Sequence, residues 1–226
     1  MKVVTLIPFW DKYRYENPEL EGLDMMSLGG KALINYPIEL SNSVKLISET
    51  YIYSNNQDVK SCIDARLRFS LLPRTTLLDS QETSIESIIQ RFLKHVDADI
   101  IVLLHAKSPF VGMITLSECL DKILNDGYDS AFSARIERKF AWFDERRVNY
   151  DTKNGTPHLA GIKPVIIETS SMYIFTRESF ERTGTRIGES PYIKAVNSFE
   201  GLVIAEPDDL KLAEFLLDSR FQIADE

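Results

Sequence analysis

Two short stretches of this 226-residue chain concentrate side chains suited to phosphate or acid–base chemistry. The first, "PFWDKYR", follows the apolar run "VVTLI" and sets Pro8, Asp11, Lys12 and Arg14 among aromatics. The second, "HAKSPF", follows the apolar run "DIIVLL" and carries His105, Lys107 and Ser108. Basic groups at such strand ends can neutralise phosphate, and an imidazole there either faces a ligand or caps the strand end as a satisfied core histidine. Lys107 is open to the same two readings, ligand cation or solvated rim lysine. A phosphate-binding loop of the usual kind is built from glycines so that backbone N–H groups approach the anion. Here no glycine precedes Gly22.

The elements that must position these groups follow from periodicity. Short continuous apolar runs such as "VVTLIPF" and "DIIVLL" predict parallel strands covered by helices on both faces. Ligands in open α/β sheets bind outside the carboxyl ends of the strands, which puts residues 8–14 and 105–108 on one rim. Helical spacing predicts helices at "KALINYPIELSNSV", "NQDVKSCIDARL", "SIESIIQRFLKHV", "MITLSECLDKILNDG", "RESFERTG" and "PDDLKLAEFLLDSRF". Strands are predicted at "ETYIYS", "DSAFSARIE", "PVIIETSSMYIFT", "PYIKAV" and "GLVIA", with a two-stranded feature around "AWFDERRVNY". The expectation is a single α/β domain over 1–226, regular and doubly wound in its amino half and carrying extra strands in its carboxyl half.

Composition excludes several classes. A net charge of -8 disfavours a nucleic-acid backbone or an anionic membrane as partner. Two cysteines, Cys62 and Cys119, are too few for a disulfide framework or a cysteine-rich zinc site, and both read as reduced core thiols. No run approaches the ~20 apolar residues of a membrane span, so a cytoplasmic location is expected. The basic and aromatic stretch "ARIERKFAWFDERR" superficially suits a nucleic-acid surface, but reads better as a β arm with Trp142 and Phe143 in a dimer interface.

Six blocks, "SLGGKALINYPIELS", "IVLLHAKSPF", "DSAFSA", "ETSSMYIFTRESF", "RIGESPYI" and "EPDDLKLAEFLL", occur in an order and spacing that resembles the acylneuraminate cytidylyltransferase family, which includes CMP-sialic acid synthetases. The nearest pattern is the branch acting in bacterial surface-polysaccharide synthesis. The resemblance implies a Rossmann-like nucleotidyltransferase sheet in three α/β/α layers, with a β insertion at about 135–168 that makes a homodimer. It also implies transfer of CMP from CTP to an acidic sugar or phosphorylated acceptor, with magnesium if the chain is active and no cofactor otherwise.

Carried over by the same resemblance, Arg14 and Lys107 are catalytic candidates. Pro8, Lys12, Arg14, Asp24, Arg74, Ser84, His105 and Ser108 are candidates for the nucleotide, and Glu168, Ser170 and Arg186 for the acceptor. The chain departs from the family where Trp10 replaces the loop arginine, Asp11 and Lys12 replace its glycines, and Val203 and Ala205 replace the two aspartates that hold the metal. Glu200, Glu206, Asp208 and Asp209 lie near that pair in sequence, the last two suiting the first turn of a helix. These losses leave a second expectation open, a family relative that binds or dimerises without turnover.

Overall fold

The computed structural model describes residues 1–10, 18–80 and 82–218; the candidates Lys12 and Arg14 lie outside them. In chain order the elements are β1 (Val3–Pro8), β2 (Ser27–Leu28), β3 (Lys31–Ala32), α1 (Asn35–Ser43), β4 (Ile47–Ser54), β5 (Ser70–Pro73), α2 (Ile85–Phe92), β6 (Ile100–Leu104) and α3 (Met113–Asn125). There follow β7 (Ser130–Glu137), β8 (Trp142–Phe143), β9 (Arg146–Arg147), β10 (Val165–Thr176), α4 (Arg177–Thr183), β11 (Pro191–Ala195) and α5 (Pro207–Asp218).

Seven strands form one sheet in the order β11-β7-β10-β6-β1-β4-β5. Every pair is parallel except those made by β10, which runs antiparallel to both β6 and β7. β1 and β6 are central and buried at every position, as continuous apolar runs require. Side chains alternate between two cores: Val3, Ile7, Ile100, Val102 and Leu104 pack with α1, α3 and α5, while Val4, Leu6, Ile101 and Leu103 pack with α2 and α4. This is the expected three-layer Rossmann-like arrangement.

Two predicted elements differ. "NQDVKSCIDARL" forms only a short 3-10 turn, Asp58–Cys62. The Asn35 side chain donates to the Cys62 carbonyl and accepts from the Asp64 N–H, taking backbone groups that a continuing helix would pair internally. Cys62 is accordingly half-buried, whereas Cys119 is buried in α3; both are free thiols. "GLVIA" is not a strand either: the Ile204 N–H donates to the Lys107 carbonyl (2.8 Å) and the buried Ile204 side chain plugs the core. β5, an edge strand with half-buried side chains, carries too weak an alternation to be read from sequence.

The turn between α4 and β11 wraps the Asp129 carboxylate, which accepts from the backbone of Glu189 (2.9 Å) and Ser190 (3.1 Å) and from the hydroxyls of Ser130 (2.9 Å) and Ser179 (3.2 Å). Gly188 lies against this cluster, and a Cβ there would overlap Ser179 Oγ and the Asp129 carboxyl. Gly188→Ala is therefore expected to cost about 1–3 kcal/mol and to displace Arg186 two residues earlier, read as a lowered thermal midpoint. Burial opposes ionisation of Asp129, but the hydrogen bonds from Ser130, the two backbone N–H groups and Ser179 outweigh it and lower the pKa. A lowered carboxyl pKa contributes stability that is present above about pH 4 and lost as the pH falls below it. Asp129→Asn should flatten that acid limb in a midpoint-against-pH series.

Candidate functional site

The carboxyl ends of β1 and β6 open onto a cleft of about 730 Å3, a size suited to a small-molecule ligand. Pro8 and Trp10 line it from β1, and His105, Ala106 and Lys107 line it from β6. Asp24 enters from the segment before the β2-β3 hairpin, and residues 204–206 run along another side. Ser170 and Tyr173 of β10 and Arg186 from the turn after α4 complete the polar lining.

The aromatics after Pro8 do not plug this space. Phe9 and Trp10 continue the alternation of β1, so Phe9 is wholly buried in one core and Trp10 lies 6% exposed against the other. Arg74 holds them there. Its guanidinium donates to the carbonyls of Phe9 (2.8 Å) and Tyr53 (3.0 Å), pairs with Asp79, and stacks 4.3 Å from the Trp10 ring centroid. The Trp10 N–H in turn donates to Asp24 (3.0 Å), a buried carboxylate. Arg74 thus stands behind the wall, with none of its side chain exposed.

Ser84 and Ser108 are likewise not brought to the lining. Ser84 is the N-cap of α2, accepting from the Ser87 N–H (3.1 Å) as hydroxyls do at helix starts. Ser108 is buried behind the His105 turn, and its Oγ finds no protein partner among the described residues. Pro8, Asp24, His105, Lys107, Ser170 and Arg186 do converge, from well-separated regions of sequence.

The far wall is shaped by an irregularity in β10. Its register against β7 shifts between Glu168 and Tyr173, and Ser170 adopts a left-handed backbone (φ 57°), a conformation costing a non-glycine residue about 1 kcal/mol or more. The shift turns Ser170 into the cleft while Thr169 and Ser171 stay buried. Tyr173 donates to Glu168 (2.7 Å), and Arg186 packs 4.4 Å over the Tyr173 ring while donating to Glu86 (2.5 Å). Burial raises the Tyr173 pKa, keeping the phenol protonated. Burial also opposes the Arg186 charge, but contacts with Tyr173 and Glu86 more than restore it. The outcome is a half-buried guanidinium fixed in place beside two hydroxyls.

Tyr173 and Glu86 were not foreseen from sequence. Tyr173 sits inside the block "ETSSMYIF" but reads as a core aromatic there, and Glu86 meets Arg186 across 100 residues with no local signal. Glu206 also lines the cleft, whereas Val203 does not; Ala205 does. Among the described residues no group of three His, Cys, Asp or Glu side chains is placed to hold a metal ion, while two carboxylates, Asp24 and Glu206, are on the cleft lining.

A family profile described as Cytidylyltransferase matches residues 19–161, more than half of the chain. N-acylneuraminate cytidylyltransferase of Oncorhynchus mykiss is 23% identical over 181 residues, which are 76% of this chain; the aligned part spans 41% of that relative. Among solved structures, CMP:2-keto-3-deoxy-manno-octonic acid synthetase complexed with CTP superimposes with a TM-score of 0.69 at 14% identity, covering 97% of this chain and 99% of that one. 2-C-methyl-D-erythritol 4-phosphate cytidylyltransferase from Thermus thermophilus gives a TM-score of 0.61 at 16% identity, covering 96% of this chain and all of that one (100%). At such identities the superpositions speak for the fold, and the profile match speaks for the family. The chain is a divergent member of the cytidylyltransferase family.

Proposed function

We propose that the chain binds CTP in this cleft and transfers CMP to an acidic sugar or a phosphorylated acceptor, releasing pyrophosphate. The observation that carries the reading is the convergence of Lys107 and Arg186 on one open cleft at the carboxyl ends of the central strands. An acceptor oxygen forms a bond to the α-phosphorus as the bond from that phosphorus to the bridging oxygen breaks, and the electron pair leaves with pyrophosphate. Such chemistry asks mainly for positioning and for charge stabilisation. In this reading Lys107 meets phosphate charge, together with Arg14 from the segment after Trp10. Arg186, held by Glu86 and Tyr173, anchors the anionic group of the acceptor beside Ser170, and Glu168, which is not on the cleft lining, serves by accepting from the Tyr173 hydroxyl.

The exposed apolar residues Ile136, Trp142, Phe143, Ile166 and Ile167 lie on β7, the β8-β9 hairpin and β10. They support a homodimer formed through this arm, in a protein working in the cytoplasm. Among the described residues no helix is long and apolar enough to cross a membrane.

Ala205 in the cleft favours a second reading, a relative that keeps the nucleotide and has lost turnover. A pyrophosphate-release screen with CTP and a panel of sugar acids and sugar phosphates separates the two. Release with at least one acceptor establishes transfer; CTP binding with no release across the panel favours the second reading.

A further inference from the structure

An acceptor hydroxyl that attacks phosphorus must lose its proton, and the β10 wall of the cleft holds a line of groups suited to carry it. Ser170 is exposed on the lining, whereas Tyr173 is 2% exposed, its ring beneath the Arg186 guanidinium. The Tyr173 hydroxyl donates to Glu168 Oε2 (2.7 Å). Glu168 is exposed but is not part of the lining, so its carboxylate meets water outside the cleft. Burial raises the Tyr173 pKa, and hydrogen bonds from the Ser170 and Arg186 side chains lower it. A bond that favours the phenolate is one donated to the phenol oxygen, and a carboxylate only accepts. The hydroxyls therefore point one way, from Ser170 to Tyr173 to Glu168, and the Ser170 oxygen is left to accept from a ligand hydroxyl. The backbone is a second, independent sign. Ser170 sits at the register shift of β10 with φ 57°, where glycine would meet no steric cost and where strain in other residues tends to mark a working site.

We propose that Ser170, Tyr173 and Glu168 form a proton relay that carries the proton of the attacking acceptor hydroxyl out of the cleft. The proposal rests on the transfer reading above and deepens it. As the acceptor oxygen bonds to the α-phosphorus and pyrophosphate leaves with the electron pair of the broken bond, the acceptor proton passes to Ser170 Oγ. The serine proton passes to Tyr173 Oη, and the tyrosine proton to Glu168 Oε2. Both hydroxyls end neutral, so the relay asks for no phenolate in a buried place. The protonated Glu168 carboxyl then gives its proton to water. Ser170 touches the acceptor, and Tyr173 and Glu168 act through it.

The test is pyrophosphate release by the full chain at saturating CTP, with those panel acceptors that the parent turns over. For each variant kcat and the acceptor KM are measured, together with the calorimetric CTP dissociation constant and the thermal midpoint. Glu168→Gln keeps an oxygen that accepts from Tyr173 but cannot take its proton. Its kcat is expected to fall by about 10²-fold, the usual size of a general-base contribution, while CTP binding stays within about twofold of the parent. Ser170→Gly relieves the left-handed backbone and removes the hydroxyl. Its midpoint should equal or exceed that of the parent while kcat falls by about tenfold or more, a combination that a supporting role in the fold does not produce. Parental kcat in Glu168→Gln, or a change confined to the acceptor KM, overturns the relay and leaves the transfer reading standing. Parental kcat in Ser170→Gly likewise overturns it. No release by the parent with any acceptor overturns the transfer reading and the relay together.

Discussion

Arg74→Ala is expected to lower the free energy of unfolding by about 3–5 kcal/mol, a fall of roughly 10 °C in the thermal midpoint for a domain of this size. The guanidinium has no exposed surface, and four groups depend on it: the Phe9 and Tyr53 carbonyls, the Asp79 carboxylate and the Trp10 ring. Truncation takes the guanidinium from the Phe9 carbonyl, leaves the Tyr53 carbonyl with the Phe9 N–H (3.2 Å) and Asp79 with the Asn55 amide (2.6 Å), and removes the counter-ion of a mostly buried carboxylate, whose desolvation penalty is then largely uncompensated. Burial opposes the Arg74 charge while Asp79 sustains it, so the pair stands or falls together. The Trp10 wall loosens with it, and nucleotide binding should fall as a consequence of stability. A residue that only touched the ligand would behave otherwise: binding would drop at an unchanged midpoint. Differential scanning calorimetry beside CTP titration distinguishes these outcomes, and Arg74→Ala binding weakly at the parent midpoint would return Arg74 to the role of a direct contact.

Lys107→Met should show the opposite pattern. Its side chain is half-buried at the cleft, and the contact that braces the turn is made by its backbone carbonyl to Ile204, which substitution leaves in place. The midpoint is expected to fall by no more than about 2 °C, since the brace of the turn is a backbone contact that the substitution keeps. Turnover in the pyrophosphate-release assay should fall by about 10²–10³, the usual cost of removing one preorganised electrostatic contact to developing charge. Lys107→Met turning over at the parental rate would sink the catalytic role.

These two residues also mark where sequence was informative and where it was not. β1 and β6 were readable because strands covered on both faces carry uninterrupted apolar runs, and their carboxyl ends correctly placed Pro8, His105 and Lys107 on one rim. Arg74 was not readable in the same way. An arginine just past a strand looks the same in sequence whether it points to solvent or folds back under the wall, and only the position of Trp10 and Asp79 decides. The predicted helix over 56–67 failed for a related reason, since the competing hydrogen bonds come from Asn35, far away in sequence. The acceptor side of the cleft depends on a register shift in β10 and on a Glu86–Arg186 pair, both products of tertiary packing. The asymmetry is physical: strand periodicity is local, whereas the partner of a buried charge is not.

The most direct measurement uses Trp10 itself. The chain has two tryptophans, Trp10 on the cleft lining and Trp142 exposed on the β8-β9 hairpin. In a Trp142→Phe variant, emission from Trp10 alone should change saturably on addition of CTP, with a midpoint equal to the calorimetric dissociation constant and a much weaker response to ATP or GTP. A Trp10 signal unmoved at CTP concentrations that saturate the calorimetric isotherm, or one that responds equally to every triphosphate, would contradict a cytidine nucleotide site in this cleft.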